Sequence, residues 1–174
     1  MDKKLPVEYI AGFTEGEGCF ALKFRKMVRK ERKGAPVYFM WSGEFAILLH
    51  GKDEKLLEKI RETIGCGSIK KNANGSIRYQ VQKTEELKEC IIPFFKNKLH
   101  GSKAMDFKLW QEAIEIIYRN KRKKLNLEKG KAGFQRTEWD KKDLIRLVEI
   151  QKEMKNYKGG AGKEWKWIKE APGQ

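Results

Sequence analysis

The stretch that decides the fold is Tyr9-Ile-Ala-Gly-Phe-Thr-Glu-Gly-Glu-Gly18. Pro6 lies just before it, and proline suits the start of a helix, so we predict a short helix from Val7 to about Gly16. Gly12 and Gly16 share one face of this helix, where each costs about 1 kcal/mol of helix stability relative to alanine. Close packing of a second helix against that face would explain the cost, and a glycine-rich loop is the alternative.

The residues after this helix alternate between apolar and polar. Cys19-Phe-Ala-Leu-Lys-Phe-Arg-Lys26 places its aromatic and leucine side chains on one face, which predicts a half-buried strand. A charged loop near residues 30–36 leads to a second alternating segment, Val37 to Leu49. The two segments together predict a β-hairpin.

A second unit of the same kind follows. Asp53 to Gly65 has a capping Asp, apolar residues at helical spacing and a terminal glycine, so it predicts an amphipathic helix. Next comes a hairpin with an Asn74-Gly75 turn, and then a helix from a capping Thr84 to Phe95. The order αββαββα predicts an α+β fold, in which a four-stranded antiparallel sheet packs its apolar face under helices.

The remaining chain is predicted to be largely helical. A longer helix runs from Ser102 to Tyr118, and another from Thr137 to Asn156. Between them, residues 119–136 carry eight Lys or Arg and one Glu, which predicts a mobile basic loop. We therefore expect one domain over residues 1–158, with a core at 6–118 and a helical extension at 119–158. A flexible tail rich in Gly, Lys and Trp is expected at 159–174.

Composition points to a polyanionic partner. The formal net charge of the 174 residues is +15, and such self-repulsion is best tolerated when nucleic acid is bound. No apolar run is long enough to span a membrane, and no signal peptide is evident at the N-terminus, so no membrane partner is expected. Cys19, Cys66 and Cys90 are widely spaced and odd in number, which fits reduced thiols rather than disulfides or a zinc site.

Two carboxylates stand at the end of the first helix. Glu15 and Glu17 lie where the helix dipole disfavours negative charge, so a cation would compensate them. If two copies of the helix pack about a two-fold axis, their Glu17 side chains meet and form a cluster of hard oxygen ligands suited to Mg²⁺. Hydrolysis of phosphodiesters with two metals needs such a cluster. Two solvated glutamates in a turn are the plainer alternative.

Ile10-Ala-Gly-Phe-Thr-Glu-Gly-Glu-Gly18, followed by a strand, resembles the motif of the single-motif LAGLIDADG homing endonucleases. Three later segments resemble the same family in the same order. Phe45 to Asp53 is similar to its second strand and the following helix start, Gly65 to Ile69 to its third strand, and Leu99 to Trp110 to the segment with its active-site lysine. The resemblance covers about residues 6–118.

The resemblance implies a metal-binding acid. Glu17 takes the position of that acid, which is usually Asp in the family, and Gly18 contributes its backbone carbonyl nearby. Glu15 matches the earlier acid of the motif, which in the family more often caps or supports structure. The implied cofactor is Mg²⁺, with Mn²⁺ as a substitute.

Two further catalytic residues are implied. Lys103 matches the lysine that polarises the attacking water or the scissile phosphate; one solvated lysine among many is the alternative. Before Lys52, some relatives carry a glutamine that organises water, whereas this chain has Leu49 and His50. His50 is therefore a candidate substitute for that glutamine.

The implied activity is site-specific cleavage of double-stranded DNA by a homodimer whose interface includes Gly12, Phe13 and Gly16. One phosphodiester on each strand of a long pseudo-palindromic site is hydrolysed across the minor groove, leaving short 3′ overhangs. Sequence would be read in the major groove by polar side chains on one sheet face, with Arg and Gln suited to guanine and adenine edges. These DNA-binding candidates are Lys23, Arg25, Ser42, Glu44, Lys70, Asn72, Arg78, Gln80 and Gln82.

Other functions fit part of the sequence. Some members of the family are maturases that bind intron RNA, and the basic stretch at 119–136 is compatible with that partner. Others bind DNA without cutting it. A basic structural protein, such as a ribosomal factor, is the third possibility; it predicts a monomer, whereas the glycine-faced helix predicts a dimer. We expect an intracellular protein, from bacterial or archaeal cytoplasm or from an organellar matrix.

Overall fold

The computed structural model describes residues 4–28, 37–122 and 139–157. The elements are α1 (Val7–Glu17), β1 (Gly18–Val28), β2 (Val37–His50), a 3-10 turn (Gly51–Asp53), α2 (Glu54–Ile64), β3 (Ser68–Lys71), β4 (Ser76–Val81), α3 (Thr84–Glu86), a π-helical turn (Leu87–Ile91), α4 (Ile92–Phe95), α5 (Gly101–Arg122) and α6 (Lys141–Lys155). The order of the strands and main helices is the predicted one.

The strands form a single antiparallel sheet in the order β1-β2-β4-β3. Within the hairpins, Lys23 lies opposite Ser42 and Lys70 lies opposite Arg78. The hairpins are joined through β2 and β4, where Ala46 lies opposite Gln80. The predicted α+β fold is thus confirmed, and strand alternation gives the sheet one face toward the helices and one polar face.

The core lies between the helices and the apolar sheet face. Phe20 is fully buried, and its ring centroid lies 5.1 Å from the rings of both Phe45 and Trp110. Gly43 lets α5 cross β2 closely, because a methyl group on its α-carbon would lie 2.0 Å from Cδ1 of Ile114. A side chain at position 43 would therefore force the buried Ile114 side chain to shift.

The helical segment after β4 differs from its prediction. It contains a π-helical turn that comes directly before α4, and α4 has Pro93 in its first turn. Proline lacks the N–H that a continuous α-helix would use there, which explains a local change of hydrogen-bond register. The prediction that Thr84 caps this helix is wrong. Lys83 holds the N-cap position, and the buried Thr84 hydroxyl instead accepts a hydrogen bond from Lys121 Nζ at 2.5 Å.

The ends of the other elements mostly follow the sequence. Gly65 ends α2 with φ of +87°, and Gly75 adopts φ of +79° in the turn between β3 and β4, as glycine permits. Asp53 precedes α2 as predicted, but its side chain makes no capping hydrogen bond. His50 takes the corresponding role one turn earlier, because its ring accepts a hydrogen bond from the Lys52 N–H.

The first residues of the predicted basic loop are helical. Residues 119–122 belong to α5, and Asn120 within them is fully buried. Residues 123–136 of that prediction lie outside the described residues, as do Thr137 and the tail. The last helix begins at Lys141, where the Asp140 carboxylate caps it by accepting from the Lys142 N–H. Among the described residues, no helix is both long and apolar enough to cross a membrane.

Candidate functional site

The α1 helix ends at Glu17, and its carboxylate faces solvent. Glu17 belongs to the lining of an open pocket of about 490 Å³. His50 and Asp53 line the same pocket, one at the end of β2 and the other in the turn before α2. The fold therefore brings the predicted metal-binding acid and the predicted water-organising residue to one cavity.

The predicted lysine lies next to the predicted backbone ligand. Lys103 is on the first turn of α5, and its Nζ donates a hydrogen bond to the carbonyl oxygen of Gly18 at 2.6 Å. These residues are 85 positions apart in the chain. Their catalytic roles remain predictions, but their proximity is a feature of the fold.

Glu15 has a different environment from Glu17. Its Oε1 accepts a hydrogen bond from the backbone N–H of His100 at 2.5 Å, just before α5 begins. A carboxylate at a helix N-terminus is favoured by the helix dipole, so Glu15 fixes α5 relative to α1. This contact fits the supporting role implied for Glu15.

The donor set at the end of α1 suits a hard divalent cation. Glu17 offers a carboxylate, and the Gly18 carbonyl already faces the positive charge of Lys103. Over residues 4–28, 37–122 and 139–157, however, no group of three or more His, Cys, Asp or Glu side chains could hold a metal. The oxygen types therefore fit Mg²⁺, and an ion held here would need further ligands from elsewhere, such as a second copy of the chain, phosphate or water.

His50 has a defined tautomer in its neutral form. Its Nδ1 accepts the Lys52 N–H at 3.3 Å, so the ring proton lies on Nε2. The side chain is exposed and lines the pocket, which leaves Nε2–H free to donate to water or phosphate. This geometry is compatible with the predicted role and does not test it.

One face of α1 is open. Gly12 and Gly16 are both exposed, and a methyl group built on either would have no atom within 4 Å. Tyr9 on the same helix is 46% exposed, and Phe13 is half-buried. The described part of the chain thus gives no internal reason for the two glycines.

The nine predicted DNA-binding residues lie on strands or the adjoining turn, and strand register places them on the polar sheet face. Their exposures differ. Arg25, Lys70, Asn72 and Gln82 are exposed, whereas Glu44 and Gln80 are buried. Their contribution to DNA binding remains a prediction.

Ion pairs connect three of these residues. One carboxylate oxygen of Glu44 pairs with Lys23 Nζ and the other with Arg78 Nη2. Burial lowers the pKa of the Lys23 ammonium, and the nearby charges of Arg25 and Arg78 lower it further. Several cations are therefore crowded on one part of the sheet.

Two exposed apolar residues share the polar face and were absent from the sequence-based candidates. Leu48 is 46% exposed and lies opposite Arg78, while Met40 is 37% exposed on the same strand. The alternation of residues along β2 is enough to place Leu48 and Met40 on the polar sheet face. Alternation gives their face but not their exposure, and apolar side chains can contact thymine methyl groups as polar ones contact base edges.

Comparison with known proteins identifies relatives over the same region. A family model described as LAGLIDADG endonuclease matches residues 10–114. The probable intron-encoded endonuclease Cox1-I1b of Schizosaccharomyces pombe is 27% identical over 111 residues, which are 63% of this chain and 27% of that protein. An uncharacterized 50.9 kDa protein in ND4 intron 1 of Podospora anserina is 30% identical over 63% of this chain and 24% of its own length. The chain thus spans about a quarter of the length of these curated relatives.

Solved structures of similar architecture include homing endonucleases. I-SmaMI, described as bound to an uncleaved DNA target with calcium ions, is 25% identical with a TM-score of 0.67, over 92% of this chain and 47% of that one. The homing endonuclease I-TnaI, at 24% identity and a TM-score of 0.64, matches 89% of this chain and 97% of its own. I-CvuI, at 15% identity, has a TM-score of 0.66 over 91% of this chain and 85% of its own. The two less identical structures support the fold alone.

Proposed function

Because the chain belongs to the LAGLIDADG endonuclease family, we propose that it is a homing endonuclease that cuts a specific double-stranded DNA site as a homodimer. The observation that carries this proposal is the grouping of Glu17, Gly18 and Lys103 at the end of α1. An exposed acid, a carbonyl and an ammonium come together there, beside a helix face that has no covering in the single chain.

The dimer completes the site. Within the described residues, one chain gathers no group of three or more His, Cys, Asp or Glu side chains that could hold a metal, and hydrolysis of both DNA strands requires two centres. Packing of two α1 helices through Gly12, Phe13 and Gly16 would bring the two Glu17 side chains together. The open space over both glycines supports this interface, since backbones can approach closely where no side chains intervene.

The polar sheet face is the proposed DNA-binding surface. A pseudo-palindromic site fits a two-fold dimer, in which each sheet follows one half-site in the major groove. I-SmaMI, whose chain is 25% identical, is described as bound to DNA. The net charge of +15 on the chain supports the same partner through phosphate contacts.

Each residue has a chemical task in the proposed reaction. Glu17 and the Gly18 carbonyl would hold Mg²⁺ or Mn²⁺, which when bound supplies Lewis acidity and stabilises negative charge on the phosphate. Lys103 holds the Gly18 carbonyl in place and adds positive charge beside the scissile phosphate. His50, through Nε2–H, orients the attacking water. The cuts fall across the minor groove and leave short 3′ overhangs.

The test compares two charge-matched variants of α1. Glu17→Gln is expected to lower Mg²⁺-dependent cleavage by about 100-fold or more, the scale on which loss of one charge-stabilising group acts. Glu8→Gln removes the same charge from an exposed position in the first turn of the helix and is expected to retain cleavage. If the chain is encoded within an intron, cleavage is measured on the joined flanking exons, and otherwise on a randomised duplex library, with EDTA as the metal-free control. Full activity of Glu17→Gln would refute the assignment.

Binding to intron RNA is the second candidate. It is supported by the eight basic residues within positions 119–136, where nucleic acid of either kind would be attracted. A tight, metal-independent complex with the intron transcript that promotes its splicing, with no DNA cleavage, would favour this function over the first. Cleavage of the joined exons in DNA would favour the endonuclease.

A further inference from the structure

Glu44 is unusual among the residues of the polar sheet face. It lies in the middle of β2 and is only 2% exposed, whereas Met40 and Leu48 on the same side of that strand are 37% and 46% exposed. A buried carboxylate needs partners, because its charge is otherwise poorly solvated. Both oxygens of Glu44 have one, Lys23 on one side and Arg78 on the other.

Small neighbours make room for these partners. Ala21 lies opposite Glu44 on β1, so the Lys23 side chain can turn back from its own position opposite Ser42. Arg78 lies opposite Leu48, two same-face positions from Glu44 on β2. Between these two positions on β2 lies Ala46, which is 3% exposed, and Arg78 pairs with Glu44 across this small residue.

Both cations remain partly accessible while Glu44 does not. The side chains of Lys23 and Arg78 are 30% and 31% exposed, against 2% for Glu44. A guanidinium has five N–H donors, and the carboxylate faces only part of that fork. Arg78 therefore keeps donors for a base edge, and its orientation is limited by the ion pair.

A fixed guanidinium discriminates bases better than a mobile one. Bidentate contact with guanine O6 and N7 requires the fork to be in place, and side chains held by neighbouring groups achieve this more reliably. A lysine ammonium or an unrestrained arginine would instead satisfy phosphates, which carry no sequence information.

We propose that Glu44 is a positioning residue for sequence recognition, which holds Arg78 and Lys23 in fixed places on the sheet face and does not itself contact a base. The ligand is the base edge of one base pair in each half-site, read by Arg78, with Lys23 supplying an adjacent contact. This inference rests on the proposed function, in which the polar sheet face binds DNA.

The experiment is selection from a randomised duplex library by the full-length chain, followed by sequencing of the bound fraction. Glu44→Gln is compared with the wild-type protein and with Glu54→Gln. The control removes the same charge from another ion pair, in which Glu54 binds Lys71 at 2.8 Å away from the cluster. Affinity for a scrambled duplex is measured in parallel, and thermal unfolding reports stability.

Glu44→Gln is expected to reduce the preference at one base pair of each half-site by about tenfold, within the range for loss of one bidentate contact. Affinity for the scrambled duplex rises, because the released cations become free to bind phosphates. Glu54→Gln keeps the wild-type preference. A merely structural role for Glu44 would instead change the unfolding temperature and leave the selected sequence intact.

Three outcomes would overturn the inference. If Glu44→Gln selects the wild-type sequence with equal preference, Glu44 does not position the readers. If it prefers a new base at that pair, Glu44 contacts the base directly. If the wild-type chain selects no sequence at all, the proposed function itself fails.

A second set of variants guards against a misfolded Glu44→Gln. Glu44→Asp keeps the charge on a shorter side chain, and is expected to lose part of the preference. Arg78→Lys keeps the charge but lacks the fork, and is expected to lose the preference at the same base pair. The double variant of Glu44→Gln and Arg78→Lys should lose no more of the preference at that base pair than Arg78→Lys alone, because Glu44 acts through Arg78. Additive losses would contradict the inference.

Discussion

The α1 helix and the contact between α5 and α6 differ in how far their residues are buried and their polar groups hydrogen-bonded. On α1, Gly12 and Gly16 are open to solvent, and the Glu17 carboxylate has no hydrogen-bond or ion-pair partner among the described residues. Between α5 and α6, Asn120 is fully buried and donates both to the Ile116 carbonyl at 2.9 Å and to Asp143 at 2.6 Å. The first surface is incomplete in one chain, and the second is complete.

The two surfaces are therefore expected to have different roles, one in the stability of the single chain and the other in contact with a partner. A buried polar network that closes on itself stabilises the monomer, since each member would be costly to leave unpaired. A helix face with exposed glycines and an unpaired acid contributes little to monomer stability, and in the proposed dimer it would be the packing surface. Mutations in the two regions should therefore affect different measurements.

The largest effect is expected at the open face. Gly12→Leu has space in the single chain and improves helix propensity, so we expect the monomer to be as stable as the wild type or more stable, by up to about 1 kcal/mol. The same side chain would separate two packed α1 helices, so dimerisation should be lost. Sedimentation measures the dimer, and thermal unfolding at low concentration measures the monomer. Lys55→Leu, at an exposed site on α2, is the control for added surface leucine. A Gly12→Leu chain that still dimerises would mean that α1 does not form the interface.

An intermediate effect is expected at the closed contact. Asn120→Ala leaves the Asp143 carboxylate with fewer partners in a part-buried position and should destabilise the fold by about 1–3 kcal/mol. For a chain of this length, the unfolding temperature should fall by about 2–4 °C for each kcal/mol. Dimerisation and cleavage at a temperature where the protein is folded should be unchanged. A stable Asn120→Ala with weakened cleavage would remove the distinction between the two regions.

The smallest effect concerns a second link between α5 and α6, the ion pair of Arg146 with Glu112. The hydrogen bond from Arg146 lowers the pKa of the Glu112 carboxyl below its ordinary value of 4.5. The stability from this pair is therefore present above about pH 4.5 and lost as the pH falls through the lowered pKa. Both side chains are partly solvated, so only a few tenths of a kcal/mol are at stake. Arg146→Gln should make the decline of the unfolding temperature between pH 7 and pH 3 slightly shallower, measured in low salt. An identical decline in both proteins would mean that the pair is screened by solvent.

Much of the fold could be predicted because its signals are local. Alternation from Phe20 to Phe24 defines a strand, and Gly65 ends a helix through its own backbone freedom. The strand order β1-β2-β4-β3 was not predicted, since parity shows which face a residue occupies but not which strand is its neighbour. The π-helical turn was also missed, because it reflects the packing around Pro93 as well as the proline itself.

In the candidate site, too, some features follow from the sequence and others depend on packing. Glu17 is predicted both from its place at the end of a helix and from the family resemblance, whereas Gly18 and Lys103 come from the resemblance alone, since no spacing rule relates positions 85 apart. Glu44 shows the limit of strand parity most clearly. Its register is as expected, but its burial depends on how far the Lys23 and Arg78 side chains extend across the sheet. That packing depends on the three-dimensional environment and cannot be read from alternation.

If the polar sheet face binds DNA as proposed, the two-residue repeat of β2 has a consequence for redirecting this protein to new DNA sites. Gly43 and Phe45 on one side are buried against α5 and the core, while Ser42 and Leu48 on the other side are half-buried and exposed. Design or evolution toward a new DNA site can therefore change Ser42 and Leu48 without disturbing the packing of the core. Glu44 is the exception, because it forms ion pairs with both Lys23 and Arg78. Those three positions therefore have to be varied together, because a library that changes one of them at a time would mostly leave the remaining charges without a partner.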